Sequence, residues 1–456
     1  GLSGGVQVIR PTSSAVDGAW VPRLALLLQA AVWALSPFHF LIAYLVLLLI
    51  RPHEFLPGFQ GLPLMPVVMM GAVAAWILAR EKDFGAPAFV LLVGLVLAMV
   101  ASRVAMGWLG GIPAVVSEFL PILLVFLLVA TVVTTLPRQR TFLVLLFGAS
   151  IYMSLHGIQQ HLTGVGWTGA EMLAGRIRYI GFFHDPNDLG LFLVMTLPMA
   201  FFLFGRSRSP AVRLPLVLGL AVVFYAIYLT GSRGTLLATL AVLGVYFARR
   251  YGWTVSAILA ALVLPVLLLL LPSRFTDLNP GESSAHGRVE AWYNGMQMFQ
   301  SNPLTGVGWG RFTEFNPLTA HNSIVLVLAE TGLLGLTFWL AFFGGVVWLL
   351  FRVLGHWQQQ GDAVADPAGR EWADLAQALL IAFVGVGVSA FFLSRSYNII
   401  LYLLAAVAVG AFLGYRRNRG LEAPGLGWVL ERAALGALAL AAAFFVVIKG
   451  LLGAAS

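Results

Sequence analysis

Residues 316–353 read NPLTAHNSIVLVLAETGLLGLTFWLAFFGGVVWLLFRV, a polar lead that turns apolar just after His321. From 332 to 351 there is no charge at all, and about 20 such residues wound as a helix cross the ~30 Å hydrocarbon core of a bilayer. Comparable runs lie near 24–50, 62–80, 87–106, 117–135, 141–158, 188–205, 212–230, 234–249, 253–271, 374–394, 397–416 and 433–451. The first is broken at Pro37, so it reads as one tilted helix or two short ones, and about 12 to 14 spans are expected. The 456 residues are 60% hydrophobic and 10% charged with a mean hydropathy of +0.90, whereas a water-soluble domain carries about 25% charged residues. Outer-membrane barrels alternate apolar and polar residues over many short segments, and this chain does not. The fold class is therefore an all-α polytopic integral membrane protein.

The net charge of +8 resembles a nucleic-acid signal until it is laid on a topology. With residues 1–23 in the cytoplasm, seventeen of the 27 basic and nine of the 19 acidic residues fall inside, a difference of +8. Ten of each remain outside and cancel. The whole excess lies on one face, so it anchors topology by the positive-inside rule and implies no nucleic-acid partner. The absence of cysteine excludes disulfides and thiolate metal sites. Residues 1–22 lack an apolar core of their own and do not read as a cleavable signal peptide.

Four parts follow along the chain: a cytoplasmic segment 1–23, helices over 24–271, a large outer loop 272–331, and helices over 332–456. A second outer loop, 159–187, interrupts the first helical part. Both loops carry aromatic residues, including Trp167, Tyr179, Trp292 and Trp309, which argues for order over disorder. Within the larger loop, SSAHGRVEAWYNGMQMF (283–299) spaces its apolar residues for an amphipathic helix, with Ser283 or Ser284 as its cap.

Inside cations have a plain explanation; outside cations in short loops need another. Arg233 lies in YLTGSRGTLLA between two spans, flanked by Gly231 and Gly234. Either it snorkels to the headgroups, or it faces an anionic ligand. Arg176 and Arg178 (GRIRYIGFFHDPNDLG), Arg288 (SAHGRVEAW) and Arg311 (GVGWGRF) are further outer guanidiniums beside aromatics. Planar guanidinium forks converging on one cavity suit a phosphate or diphosphate. No Walker A motif, HExxH pair or GxSxG elbow occurs. HDPND (184–188) is the nearest approach to a metal-holding carboxylate pair, but Pro186 and Asn187 fit a turn and helix cap better. No metal and no cofactor are expected.

The order YIGFFHDPNDLG, TGSRG, GRVEAWYNGMQMFQSNPLTGVGWGRF and HNSIVLVLAETGLLGL, covering roughly residues 140–415, resembles the O-antigen ligase and polymerase superfamily. RPHEFLPG (51–58) is similar to ligase-like members associated with exosortase systems. The resemblance implies a bacterial inner-membrane glycosyltransferase acting at the periplasmic face on undecaprenyl-diphosphate-linked glycans, with a lipid A-core acceptor for the ligases. Carried onto this chain, it points to Arg233, Arg288 and His321 as catalytic residues. Polymerases and protein O-oligosaccharyltransferases share these motifs and are the alternative members.

The chemistry fits those residue types. A sugar hydroxyl attacks the anomeric carbon and the lipid diphosphate leaves, with arginines stabilising its growing charge. A neutral histidine suits the base, and single displacement inverts the anomeric centre. Arg176, Arg178, Arg311, Trp292, Asn322 and Glu330 are the substrate-binding candidates. Glu330, nine residues after His321, lies about 13 Å along a helix and on another face, so it does not orient the imidazole. From a different class, a lipid-linked glycan transporter would place its ionisable residues in mid-span, whereas here they cluster at the outer loops.

Overall fold

A computed structural model describes residues 36–270, 283–360 and 366–453. The expected segment 1–23, the start of the first span up to residue 35 and residues 272–282 of the large loop lie outside the described residues. Fourteen longer helices follow one another: α1 Pro37–Leu49, α2 Leu64–Leu78, α3 Ala88–Ala105, α4 Ile112–Val132, α5 Leu136–Thr163, α6 Pro186–Arg206, α7 Pro210–Leu229, α8 Arg233–Tyr251, α9 Trp253–Leu270, α10 Ser283–Ser301, α11 Ser323–Gln360, α12 Pro367–Phe391, α13 Ile399–Arg419 and α14 Leu426–Gly453. Over the described residues, each expected span coincides with a helix. Nine among the described residues are long and apolar enough to cross a membrane; Pro37–Leu49, Leu64–Leu78 and Trp253–Leu262 are apolar but shorter. α8 carries Arg233 at its start and Arg249 and Arg250 in its last turn. The chain is a polytopic, all-helical membrane protein.

Proline or a polar cap starts most of these helices, as the orphaned amides of a helix N-terminus require. Ser36 caps α1 and Asp185 caps α6, each followed by proline. The carboxylate at 185, rather than Asn187, is therefore the cap in HDPND. Asn398 caps α13 through the Ile400 amide.

α13 is the core helix: every residue from Ile399 to Tyr415 is buried. It packs on α4, and its glycines permit a close approach there. A Cβ on Gly410 would sit 2.6 Å from the Val133 carbonyl oxygen, and one on Gly414 would overlap the Thr134 carbonyl.

α11 begins at Ser323, so residues 323–331 are helical where the sequence reading placed loop. The helix is broken at Gly332 (φ 62°, ψ −161°), a conformation essentially reserved for glycine. The loop 303–308 threads this break and satisfies its backbone. Val307 and Gly308 donate to the Ala329 and Glu330 carbonyls at 3.0 Å each, while Leu333 and Leu334 donate to Pro303 and Leu304 at 2.9 and 3.1 Å. Irregular backbone inside a membrane bundle is tolerated where protein partners complete it in this way.

The charges sort into two ends, as the topology reading expects. Arg140 and Arg206 both pair with Glu371, while Arg416, Arg417 and Arg419 pair with Asp83, Glu81 and Asp366. All of these belong to the face assigned to the inside.

Candidate functional site

At the other end, four elements converge on a cavity of about 460 Å³. Asn187 enters from the start of α6, Ser232–Thr235 from the α7–α8 turn, Arg288 and Trp292 from α10, and Ser389, Phe392 and Leu393 from the end of α12. Arg176 from the 159–187 loop completes the wall.

The α7–α8 turn is pinned from several sides. Ser232 Oγ accepts the Thr235 amide at 3.2 Å, so Arg233 is the first residue of α8 rather than a loop residue. Gly190 of α6 lies so close to Thr235 that a Cβ would overlap it, which draws the two helix starts together. Arg176 reaches across, donating Nε to the Thr230 carbonyl at 2.6 Å and Nη2 to Asn187 Oδ1 at 2.9 Å. Asn187 in turn donates to Asp185 Oδ1.

Three guanidiniums, Arg176, Arg233 and Arg288, therefore line one cavity, and no carboxylate lines it among the described residues. Burial first, then the field of Arg233, lowers the Arg288 pKa from its usual value. Trp292 Nε1 and Ser389 Oγ, both from lining residues, are buried without a hydrogen-bond partner among the described residues. Each such orphan costs about 1–3 kcal/mol, which a ligand with matching polar groups would recover.

His321 stands beside this wall. Its φ of 48° is left-handed, a region few non-glycine residues occupy. The next two residues hold it there. Asn322 caps α11 through the Ile324 and Val325 amides (2.9 and 3.0 Å) and donates to the Phe391 carbonyl at 3.0 Å. Ser323 Oγ donates to the Leu393 carbonyl at 2.6 Å and accepts the Arg395 amide at 3.1 Å. Burial, then the guanidiniums of Arg288 and Arg395, hold the imidazole pKa below its ordinary value, with Asp185 opposing. These surroundings favour the neutral imidazole over the imidazolium.

Arg395, which the sequence reading did not single out, is fixed by a two-point ion pair with Asp188, the Nη2–Oδ2 arm measuring 2.8 Å. Asp188 is therefore engaged by an arginine, and Asp185 by the helix start. The signal for Arg395 was available, because SRSYN (394–398) puts a cation in a short connection between two spans, as TGSRG does.

Besides His321, four candidates lie outside the cavity wall. Arg178 donates Nε to the Glu171 carbonyl at 2.7 Å. Arg311 pairs with Glu314 at 2.7 Å and lies over the Phe315 ring. Glu330 is 3% exposed, and its Oε1 accepts the Phe312 amide at 3.0 Å, so its carboxylate is turned to the 310–312 backbone. Asn322, fully buried, supports the loop through its side chain.

A multi-pass helical protein with a cationic cavity at one end is the class these features define. Residues 218–340 match the family model described as O-Antigen ligase, which supports the O-antigen ligase and polymerase superfamily. The matched segment runs from α7 into α11 and contains Arg233, Arg288 and His321 but not Arg176 or Arg395. No curated protein and no solved structure matches the chain.

Proposed function

We propose that the chain is an O-antigen ligase of the bacterial inner membrane, moving a glycan from undecaprenyl diphosphate to a hydroxyl of the lipid A-core oligosaccharide at the periplasmic face. The observation that carries the proposal is the convergence of Arg176, Arg233 and Arg288 on one cavity beside His321. Three guanidiniums lining one cavity favour a polyanion, and a diphosphate offers oxygens for bidentate pairing.

In this mechanism the diphosphate occupies the arginine cavity and the acceptor hydroxyl faces His321. The hydroxyl oxygen attacks the anomeric carbon as the bond from that carbon to the phosphate oxygen breaks. The hydroxyl proton passes to the neutral imidazole, and the electron pair leaves on the lipid diphosphate, where Arg233 and Arg288 receive the developing charge. One displacement inverts the anomeric centre. Trp292 offers a face and an indole N–H to the sugar, and Glu330 acts as a positioning residue for the loop around Arg311.

The test is transfer in vesicles with a defined undecaprenyl-diphosphate glycan, lipid A-core acceptor and EDTA. Arg233→Ala, Arg288→Ala and His321→Ala are expected to lose transfer by at least tenfold while wild type works in EDTA. Full activity in the three variants would overturn the site, and loss of wild-type activity in EDTA would overturn metal independence. Glycan lengthening without acceptor would instead identify a polymerase.

A further inference from the structure

A second cavity, of about 400 Å³, lies at the opposite end of the same helices. α6 reaches the first cavity through Asn187 and the second through Arg206; α8 does so through Arg233 and Arg250, and α12 through Ser389 and Arg370. These pairs are about 17 to 19 residues apart, hence about 26–29 Å along each helix. That separation is close to the thickness of a hydrocarbon core, ~30 Å, so the cavities open at the two faces of one membrane.

Among the described residues, four arginines line the second cavity, Arg206, Arg213, Arg250 and Arg370, against a single carboxylate, Asp374. Glu371, behind the wall, is shared between Arg206 (2.8 Å) and Arg140, so it neutralises only one of those two. Arg213 donates Nε to the Ser207 carbonyl at 2.7 Å and lies 4.7 Å from the Phe204 ring centroid. Neither Arg250 nor Arg370 has a carboxylate within ion-pair distance among the described residues. Gln377 adds a polar side chain, and Phe201, Phe204, Tyr246, Tyr251 and Ile381 form an aromatic and apolar side.

Topogenic charge accounts for cations on this face, but not for four of them converging on a cavity whose other side is aromatic. We propose that this cavity binds the phosphate headgroup of an anionic phospholipid, with the guanidiniums around the phosphate and the acyl chains along the Phe201–Tyr246 side. Basic pockets between membrane helices recognise anionic headgroups in this way. The aromatic wall selects a lipid over a free anion, because an inorganic phosphate would leave it uncovered.

Native mass spectrometry of the purified full chain in detergent tests this with phosphatidylglycerol, phosphatidylcholine and inorganic phosphate as probes. Wild type is expected to retain one phosphatidylglycerol at least tenfold more tightly than phosphatidylcholine, and millimolar inorganic phosphate is expected not to displace it. The Arg213→Gln, Arg250→Gln, Arg370→Gln triple variant loses that preference. Asp374→Asn, which removes the opposing charge, tightens binding several-fold, a gain that misfolding does not produce. Equal retention by wild type and the triple variant, or no preference over phosphatidylcholine, would overturn the proposal. Displacement by inorganic phosphate would overturn the lipid assignment.

Discussion

The Asp188–Arg395 pair joins α6 to the connection that carries the His321 seat, and Asp188→Asn separates its charge from its geometry. The Asp188 side chain is 3% exposed and that of Arg395 30%. Removing one partner of a buried pair costs about 3–5 kcal/mol, because the other charge stays buried without compensation. Arg395 keeps partial access to water, and asparagine keeps one acceptor, so the cost belongs at the lower end, about 3 kcal/mol. Adding Arg395→Gln removes the stranded charge, and the double variant is expected to be more stable than Asp188→Asn alone. Reversible unfolding in mixed micelles, read as a double-mutant cycle, measures the coupling. Single variants within about 0.5 kcal/mol of wild type, or additive effects, would refute the view that this pair holds the site together.

The other predictions concern the imidazole, the helix break and the carboxylate behind it. If His321 is the base proposed above, activity falls as pH drops through its pKa, so the acid limb of the transfer rate should lie below the ordinary histidine value of about 6.5. In the residual activity of Arg288→Gln that limb should move to higher pH, since a cation opposing protonation is gone; a limb that stays put in a pH–rate profile would count against His321. Gly332→Ala forces a left-handed φ on alanine and drives its Cβ into the Leu304 backbone, at about 1–3 kcal/mol for the backbone alone. Gly344→Ala in the same helix meets nothing within 4 Å and should be neutral or slightly stabilising in the same unfolding titration. Glu330→Ala withdraws the acceptor of the Phe312 amide, at about 1–3 kcal/mol for a buried donor left without a partner. Its effect should appear as faster amide exchange at 310–312, whereas unchanged exchange would remove the carboxylate from that role.

The spans were legible because length and hydrophobicity suffice to mark a membrane helix, and among the described residues each expected run coincides with a helix. The start of α6 was legible to within two residues, at Pro186–Asn187 against the Asp185 cap, whereas Pro37 was read only as a break in the first run. The break at Gly332 was not legible, since one glycine inside an apolar run has the same pattern as a helix interior. Its stabilising partners lie in a loop whose path only tertiary structure fixes. The same limit applies to the arginines. Arg176, Arg178 and Arg311 look alike as outer cations, yet Arg178 is taken by the Glu171 carbonyl and Arg311 by Glu314. The Arg311–Glu314 spacing of three residues was visible in the chain, whereas Arg395 finds Asp188 across 207 residues of sequence. Which cations share a cavity is set by helix packing, not by local pattern.

Equilibrium binding of radiolabelled undecaprenyl diphosphate to the purified full chain, wild type against Arg288→Gln, reads the arginine cavity without the rest of the reaction. A charge-assisted hydrogen bond to the diphosphate contributes about 1.5–3 kcal/mol, so the variant should bind roughly 10- to 150-fold more weakly, with undecaprenol binding unchanged. Equal affinity of the two proteins for the diphosphate would contradict the arginine cavity as the donor site.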